Sequence, residues 1–240
     1  MWSYFRWEYE NDPFILFSME HILTLLTIGL CGLLIYFFRR LLRTPFYNKL
    51  FRYSLAGLLV LAEASLQSWF LYYDAWSVSY SLPLHLSSIS LFLAVIMLLT
   101  KNKLAFEFTY FAGLGSAIQA MLTPDLDIYS FPHFRYIHFF ISHGGVAIAC
   151  LFMILAERFK PTLRSLWRSF AALNAYTAFI FIVNKIVDGN YMFIMRKPHN
   201  PSILDFLGPW PWYILVLEGI ALVSFFILLL PFLIRRRVKN

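Results

Sequence analysis

The sequence predicts an all-α, polytopic membrane protein with seven transmembrane helices. Three observations carry that expectation. Of 240 residues, 60% are hydrophobic and only 14% charged, where soluble domains average about 25% charged. The apolar residues gather into seven runs, each near the roughly 20 residues with which a helix crosses about 30 Å of hydrocarbon. Lysine and arginine, finally, fall mainly in every second connection between those runs.

The runs cover approximately residues 16 to 38, 53 to 73, 82 to 100, 104 to 122, 136 to 156, 169 to 188 and 211 to 234. The first continues directly into Arg39-Arg40 without a small-residue cleavage pattern, so it reads as a retained span and not a signal peptide. The second places Glu63 and Gln67 four apart on one face near its middle. The third is short and opens on Ser81-Leu82-Pro83, where a proline in the first turn suits a helix start. The fourth carries Gly113, Gly115, Ser116 and Gln119, and the fifth carries Gly144-Gly145, small residues that let helices approach closely. The sixth ends in Asn184, Lys185 and Asp188; the seventh holds Glu218. The longest stretch between runs, 189 to 210, has 22 residues, so residues 1 to 240 form one transmembrane domain.

Fifteen of the 20 basic residues lie in one set of connections and the tail: Arg39, Arg40, Arg43, Lys49, Arg52, Lys101, Lys103, Arg158, Lys160, Arg164, Arg168, Arg235, Arg236, Arg237 and Lys239. Positive charge marks the cytoplasmic side. The N-terminus is therefore expected outside and the C-terminus inside, as an odd number of spans requires, and the protein is expected in the cell membrane. The formal net charge of +7 is scattered over short segments beside spans, which fits anchoring rather than nucleic-acid binding. No internal repeat is evident, which weakens a secondary-transporter reading.

Ionisable groups are costly in hydrocarbon, about 2.5 to 3.5 kcal/mol for a charge on insertion scales, so their depth is informative. Most polar groups within the spans fall in the outer half, and the inner half is largely aliphatic or Phe. That distribution predicts an outward-facing polar pocket, closed toward the cytoplasm. Glu20, His21, His138 and Asp188, near membrane ends, read as snorkelling or helix-joining groups. His85, His143 and Glu218, one to two turns inside, are the functional candidates. His85 and Ser88 are three apart and would share a helix face, so a histidine could activate a hydroxyl, with His143 or Glu218 orienting it or protonating a leaving group. Gln119, Asn184, Lys185, Arg196 and Lys197 are candidates for contacting a substrate, the last two near phosphates.

Neither a cofactor nor a metal is expected. His138 and His143 are five apart, about 140° around a helix, and cannot chelate together. Cys31 and Cys150 have no CxxC or histidine neighbour and read as packing residues. P-loop, GxGxxG and GxSxG patterns are absent. The external stretch 188–213, rich in proline, tryptophan and tyrosine, reads as an interfacial lid or a stiffened connection with an aromatic belt.

Asn190-Tyr191-Met192-Phe193, Arg196-Lys197-Pro198, Leu204-Asp205-Phe206-Leu207-Gly208-Pro209-Trp210-Pro211-Trp212-Tyr213 and Leu82-Pro83-Leu84-His85-Leu86 together resemble the bacterial YwaF-like membrane proteins. That group is similar to the transmembrane-protein-164 family, described as phospholipid acyltransferases with a cysteine and a histidine implicated. The resemblance implies membrane lipids as partners and an acyl-transfer or hydrolysis site with histidine as base. The family's cysteine would fall at or next to Pro83-Leu84-His85, where this chain has leucine. His85 and His143 transfer as candidates; the nucleophile would be Ser88, another hydroxyl or water, or the branch binds a ligand without chemistry. The alternative is a transporter or small-ligand binding membrane protein.

Overall fold

The structure, a computed structural model, describes residues 3–9, 13–198 and 203–237. Lys239 of the charge pattern, and residues 199–202 of the external stretch, lie outside the described residues, as do the side chains of Arg235, Arg236 and Arg237. Eight α-helices are described: α1 Met19–Phe38, α2 Pro45–Tyr72, α3 Leu86–Thr100, α4 Lys103–Phe108, α5 Leu114–Leu122, α6 Phe134–Leu155, α7 Leu163–Val187 and α8 Trp212–Arg237. A π-helical turn, Thr109–Gly113, joins α4 to α5. There is no strand among the described residues. Five helices are long and apolar enough to cross a membrane, α1, α2, α6, α7 and α8 (as far as Ile234); α3 is apolar but shorter.

Helix ends follow local chemistry more closely than hydropathy. Helix α2 starts at Pro45, well before residue 53, because Thr44 supplies an extended N-cap and proline needs no hydrogen bond in the first turn. Helix α7 starts at Leu163 instead of near 169. A capping box explains it: Ser165 N–H donates to Thr162 Oγ1 (3.1 Å) and Thr162 N–H to Ser165 Oγ (2.7 Å). The third run is corrected in the other direction. Its helix begins at Leu86, so Pro83 precedes the first turn and His85 is the N-cap.

Helix α6 forms the centre. Of its most apolar window 61% is buried, against 11% for α1 and 17% for α7 and α8. It packs against α1, α2, α3 and α5. The adjacent glycines permit this: a Cβ on Gly144 would come within 2.9 Å of Ile28 Cδ1, and one on Gly145 within 2.6 Å of Leu59 Cδ2. Phe152 is fully buried and stacks on Phe51 at 4.5 Å, and Phe106, Phe111 and Met97 complete the interior. Outside, Leu26, Leu61, Ile186 and Leu215 are each more than 60% exposed, a shell suited to acyl chains.

Charges close one end of the bundle. The buried Arg52 guanidinium donates to the carbonyls of Leu98 and, at 2.7 Å, Leu99, near the C-terminus of α3, where cations are favoured. Arg168 pairs with the buried Glu107 at 3.0 Å, and Lys101 with Glu157 at 2.8 Å.

Candidate functional site

The opposite end is organised around Tyr191, whose side chain is fully buried. Its hydroxyl donates to Val78 O (2.7 Å) and accepts from Leu82 N–H (3.0 Å). Asn184, near the end of α7, clamps the Tyr191 backbone on both sides: Tyr191 N–H donates to Oδ1 (2.8 Å) and Nδ2 donates to Tyr191 O (3.0 Å). Tyr176 of α7 donates to Leu84 O at 2.9 Å. These bonds hold residues 78–84 in an irregular path and prevent them from joining α3.

Two residues of the same turn, Met192 (φ 58°) and Phe193 (φ 54°), take left-handed backbone conformations that side chains disfavour. Tyr213 and Trp210 secure the turn from the other side. The tyrosine donates to Phe193 O, and the indole to Ile194 O at 3.1 Å. Asn190 Oδ1 accepts from Met195 and Arg196 N–H (3.2 and 3.1 Å). The described parts of the external stretch are thus a hydrogen-bonded clasp.

His85 lies directly under this clasp. Its Nδ1 accepts the Met192 N–H at 3.3 Å, and its ring packs against Tyr191 and Phe193 (centroids 5.4 and 5.5 Å). An Nδ1 that accepts leaves the proton of neutral imidazole on Nε2, so His85 is set as a hydrogen-bond donor. It does not cap α3 with its side chain, and the first turn of α3 has no side-chain partner. Those N–H groups and the positive end of the helix dipole favour negative charge. Ser88 is half-buried one turn on and makes no hydrogen bond with His85.

His143 has the complementary tautomer. Its Nδ1–H donates to Phe139 O at 2.8 Å, which leaves the Nε2 lone pair to accept a proton. It shares the face of α6 that carries Cys150, seven residues on, whose thiol meets Thr109 O at 3.6 Å in the π-turn. No hydrogen bond or ring contact joins His143 to His85. Glu218 accepts from Asn174 Nδ2 of α7 at 2.9 Å and contacts neither histidine.

The polar groups within the helices have several separate partners. His21 is fully buried, accepting from Phe17 N–H (3.1 Å) and donating to Met121 O (2.8 Å). Gln67 donates to Glu63 (3.0 Å) and Ser81 O (3.0 Å). The His21 bond to the Met121 carbonyl fastens α1 to the end of α5. Of the substrate candidates, Asn184 is 1% exposed with its amide engaged by Tyr191. Lys185 is exposed, its ammonium 5.7 Å from the Phe181 ring centroid. Arg196 and Gln119 are exposed, and Lys197 donates to Asp205 O at 3.4 Å.

One pairing goes beyond the sequence reading. His138 Nε2 and Ser142 Oγ are 3.2 Å apart, both nearly buried, while His138 Nδ1 has no partner. The four-residue spacing was the available signal. His138 also lines a groove of about 250 Å³ between α2 and α6, whose other lining residues are nearly all apolar. No cluster of three or more His, Cys, Asp or Glu residues that could hold a metal occurs among the described residues.

Comparison with known families adds one match. The model of the TMEM164 family covers residues 16–229, the whole helical bundle as far as α8. The chain belongs to the TMEM164 family. No curated protein and no solved structure matches it. Both histidines carried over from the family resemblance, His85 and His143, lie within the matched region of this TMEM164-family chain.

Proposed function

We propose that this TMEM164-family protein processes the acyl esters of membrane lipids, by transfer or hydrolysis, at the start of α3 beneath the clasp. The chain would cross the cell membrane of a bacterium seven times, with its N-terminus outside, in the manner of the YwaF-like proteins. The basic residues of the α1–α2, α3–α4 and α6–α7 connections support that orientation.

One observation carries the reading: His85, the N-cap residue of α3, accepts the Met192 N–H at Nδ1, which leaves Nε2 as a donor, and the helix start has no side-chain cap. A donor next to free backbone N–H groups is the arrangement that stabilises the oxyanion formed when a nucleophile attacks an ester carbonyl. His85 then acts as an electrophilic group and not as the base. The nucleophile is the Ser88 hydroxyl or water, and Leu84 supplies no thiol. His143, with its open lone pair, is the group with the tautomer of a base.

Purified protein mixed with phospholipids bearing distinguishable acyl chains should exchange them or release fatty acid. His85→Ala should abolish that turnover while His85→Gln, whose amide reaches about as far as the imidazole Nε2 and is a weaker donor, retains a fraction. Absence of turnover across lipid classes, with the wild-type protein folded, overturns the proposal. The tautomer of His85 also favours a second reading, in which its donor binds a lipid or solute without chemistry; ligand-dependent stabilisation lost in His85→Ala, without any turnover, would establish it.

A further inference from the structure

At the charged end of the bundle a cavity of about 310 Å³ opens between the start of α2, the end of α3 and the end of α6. Arg43, Asn48, Lys49, Arg52, Lys101 and Glu157 are among its lining residues. Four cations against one carboxylate leave a net charge of +3.

The protein's own groups orient these cations, and Glu157 pairs with Lys101 among them. Arg52 is 6% exposed and bonds backbone carbonyls, with Asn48 Oδ1 at 3.4 Å from Nη1. Arg43 donates to Leu155 O (2.8 Å) and Ala156 O (3.3 Å). Lys101 and Asn48 both bond the same oxygen of Glu157, at 2.8 and 2.6 Å. Lys49 is exposed and makes no hydrogen bond or ion pair among the described residues. Lost solvation, and then the charges of Arg158, Arg39 and Arg40, hold the Arg43 guanidinium below its ordinary value. The field around the cavity is therefore positive well beyond its lining.

We propose that this cavity binds the phosphate headgroup of an anionic membrane phospholipid. A basic recess between helix ends at the membrane surface is suited to such a headgroup, and its volume is in the range of small-molecule sites. The neighbouring apolar surface favours a lipid over free phosphate. Phe46 and Leu50, next in sequence to the lining residues Pro45 and Lys49, are 68% and 52% exposed and offer a path for acyl chains. The proposal is independent of any chemistry at His85.

The test uses the full chain in phosphatidylcholine nanodiscs with and without phosphatidylglycerol, reading thermal stability and the lipid retained on native mass spectrometry. Phosphatidylglycerol should raise Tm and be retained preferentially. Lys49→Gln should weaken that preference about fivefold, the equivalent of about 1 kcal/mol for one surface cation, and Lys49→Glu should weaken it further. Both variants should match wild type in phosphatidylcholine alone. Lys160→Gln, an exposed cation away from the lining, should leave the preference intact. Equal behaviour of the two lipids, an unchanged preference in Lys49→Glu, or full reproduction of the Tm rise by inorganic phosphate would each overturn the proposal.

Discussion

The two ends of the bundle solve the same problem with different chemistry. At the His85 end the connections are fastened by neutral hydrogen bonds from His21, Asn184, Tyr191 and Tyr213. At the other end Arg43, Arg52, Lys101 and Arg168 meet carbonyls and two carboxylates. Neutral bonds fix geometry without adding net charge; cations tied to carbonyls fix geometry and keep their charge. The first end can therefore hold a strained turn over a histidine, and the second can attract an anion.

The largest effect should come from breaking the neutral end at its tightest point. Asn184→Leu leaves both the N–H and the carbonyl of Tyr191 buried without partners, at about 1–3 kcal/mol each. Thermal unfolding in detergent should show a loss of about 2–6 kcal/mol for the two groups together, insensitive to salt. A loss below 1 kcal/mol would mean that the clasp is not held through Asn184.

Next in size is a contrast between two glycines. A Cβ on Gly189 would lie 2.8 Å from the Ser79 backbone carbonyl, which the surrounding turn prevents from retreating. At Gly145 the approach is closer, 2.6 Å, but the obstacle is the end of the Leu59 side chain, which can rotate. Gly189→Ala should cost about 1–3 kcal/mol, the usual penalty of overpacking, and Gly145→Ala less. The reverse order in Tm would show that the α2–α6 contact is the more rigid of the two.

What was legible in the sequence follows the same division. Hydropathy located the five helices long and apolar enough to cross a membrane and the shorter apolar α3, because every apolar stretch answers to one solvent property. Pro83 misled: the sequence suits a helix start, yet the Leu82 N–H goes to the Tyr191 hydroxyl from 109 residues away, a pairing no local pattern announces. His85 and His143 were identifiable as polar groups at depth, but their tautomers depend on Met192 N–H and Phe139 O. Which carbonyl each polar group meets was not legible, because spacing along one helix does not reveal the neighbouring chain. At the charged end, the burial of Arg52 was not legible, because it depended on α3 ending against α2.

The charged end is probed by Arg168→Gln. Glu107 is 2% exposed and only one of its oxygens is paired, so losing the guanidinium leaves a buried carboxylate. Removing one partner of a fully buried pair costs about 3–5 kcal/mol. Here the arginine side chain is 47% exposed and solvent screens it, so about 1–2 kcal/mol is expected. Glu107→Gln should cost less, since it removes the charge that needs solvation. If Arg168→Gln proves neutral in low salt, ionic fastening at this end contributes little.

The smallest effect is a pH dependence confined to the neutral end. His133 is fully buried at the N-cap of α6; its Nε2 donates to Arg6 O (3.0 Å) and its Nδ1 accepts from Arg135 N–H (3.0 Å). Burial holds this imidazole below its ordinary value; the Arg6 carbonyl opposes the shift and the Arg135 charge adds to it. The unfolded chain therefore takes up a proton near pH 6.5, before the folded chain does. The stability contributed by neutral His133 is complete above that pH and declines as pH falls toward the folded pKa. His133→Asn keeps an acceptor for the first turn of α6 but does not titrate, so its Tm should fall less than wild type between about pH 7.5 and pH 5.5. Parallel curves would mean that the acid sensitivity of this end lies elsewhere than in the cap of α6.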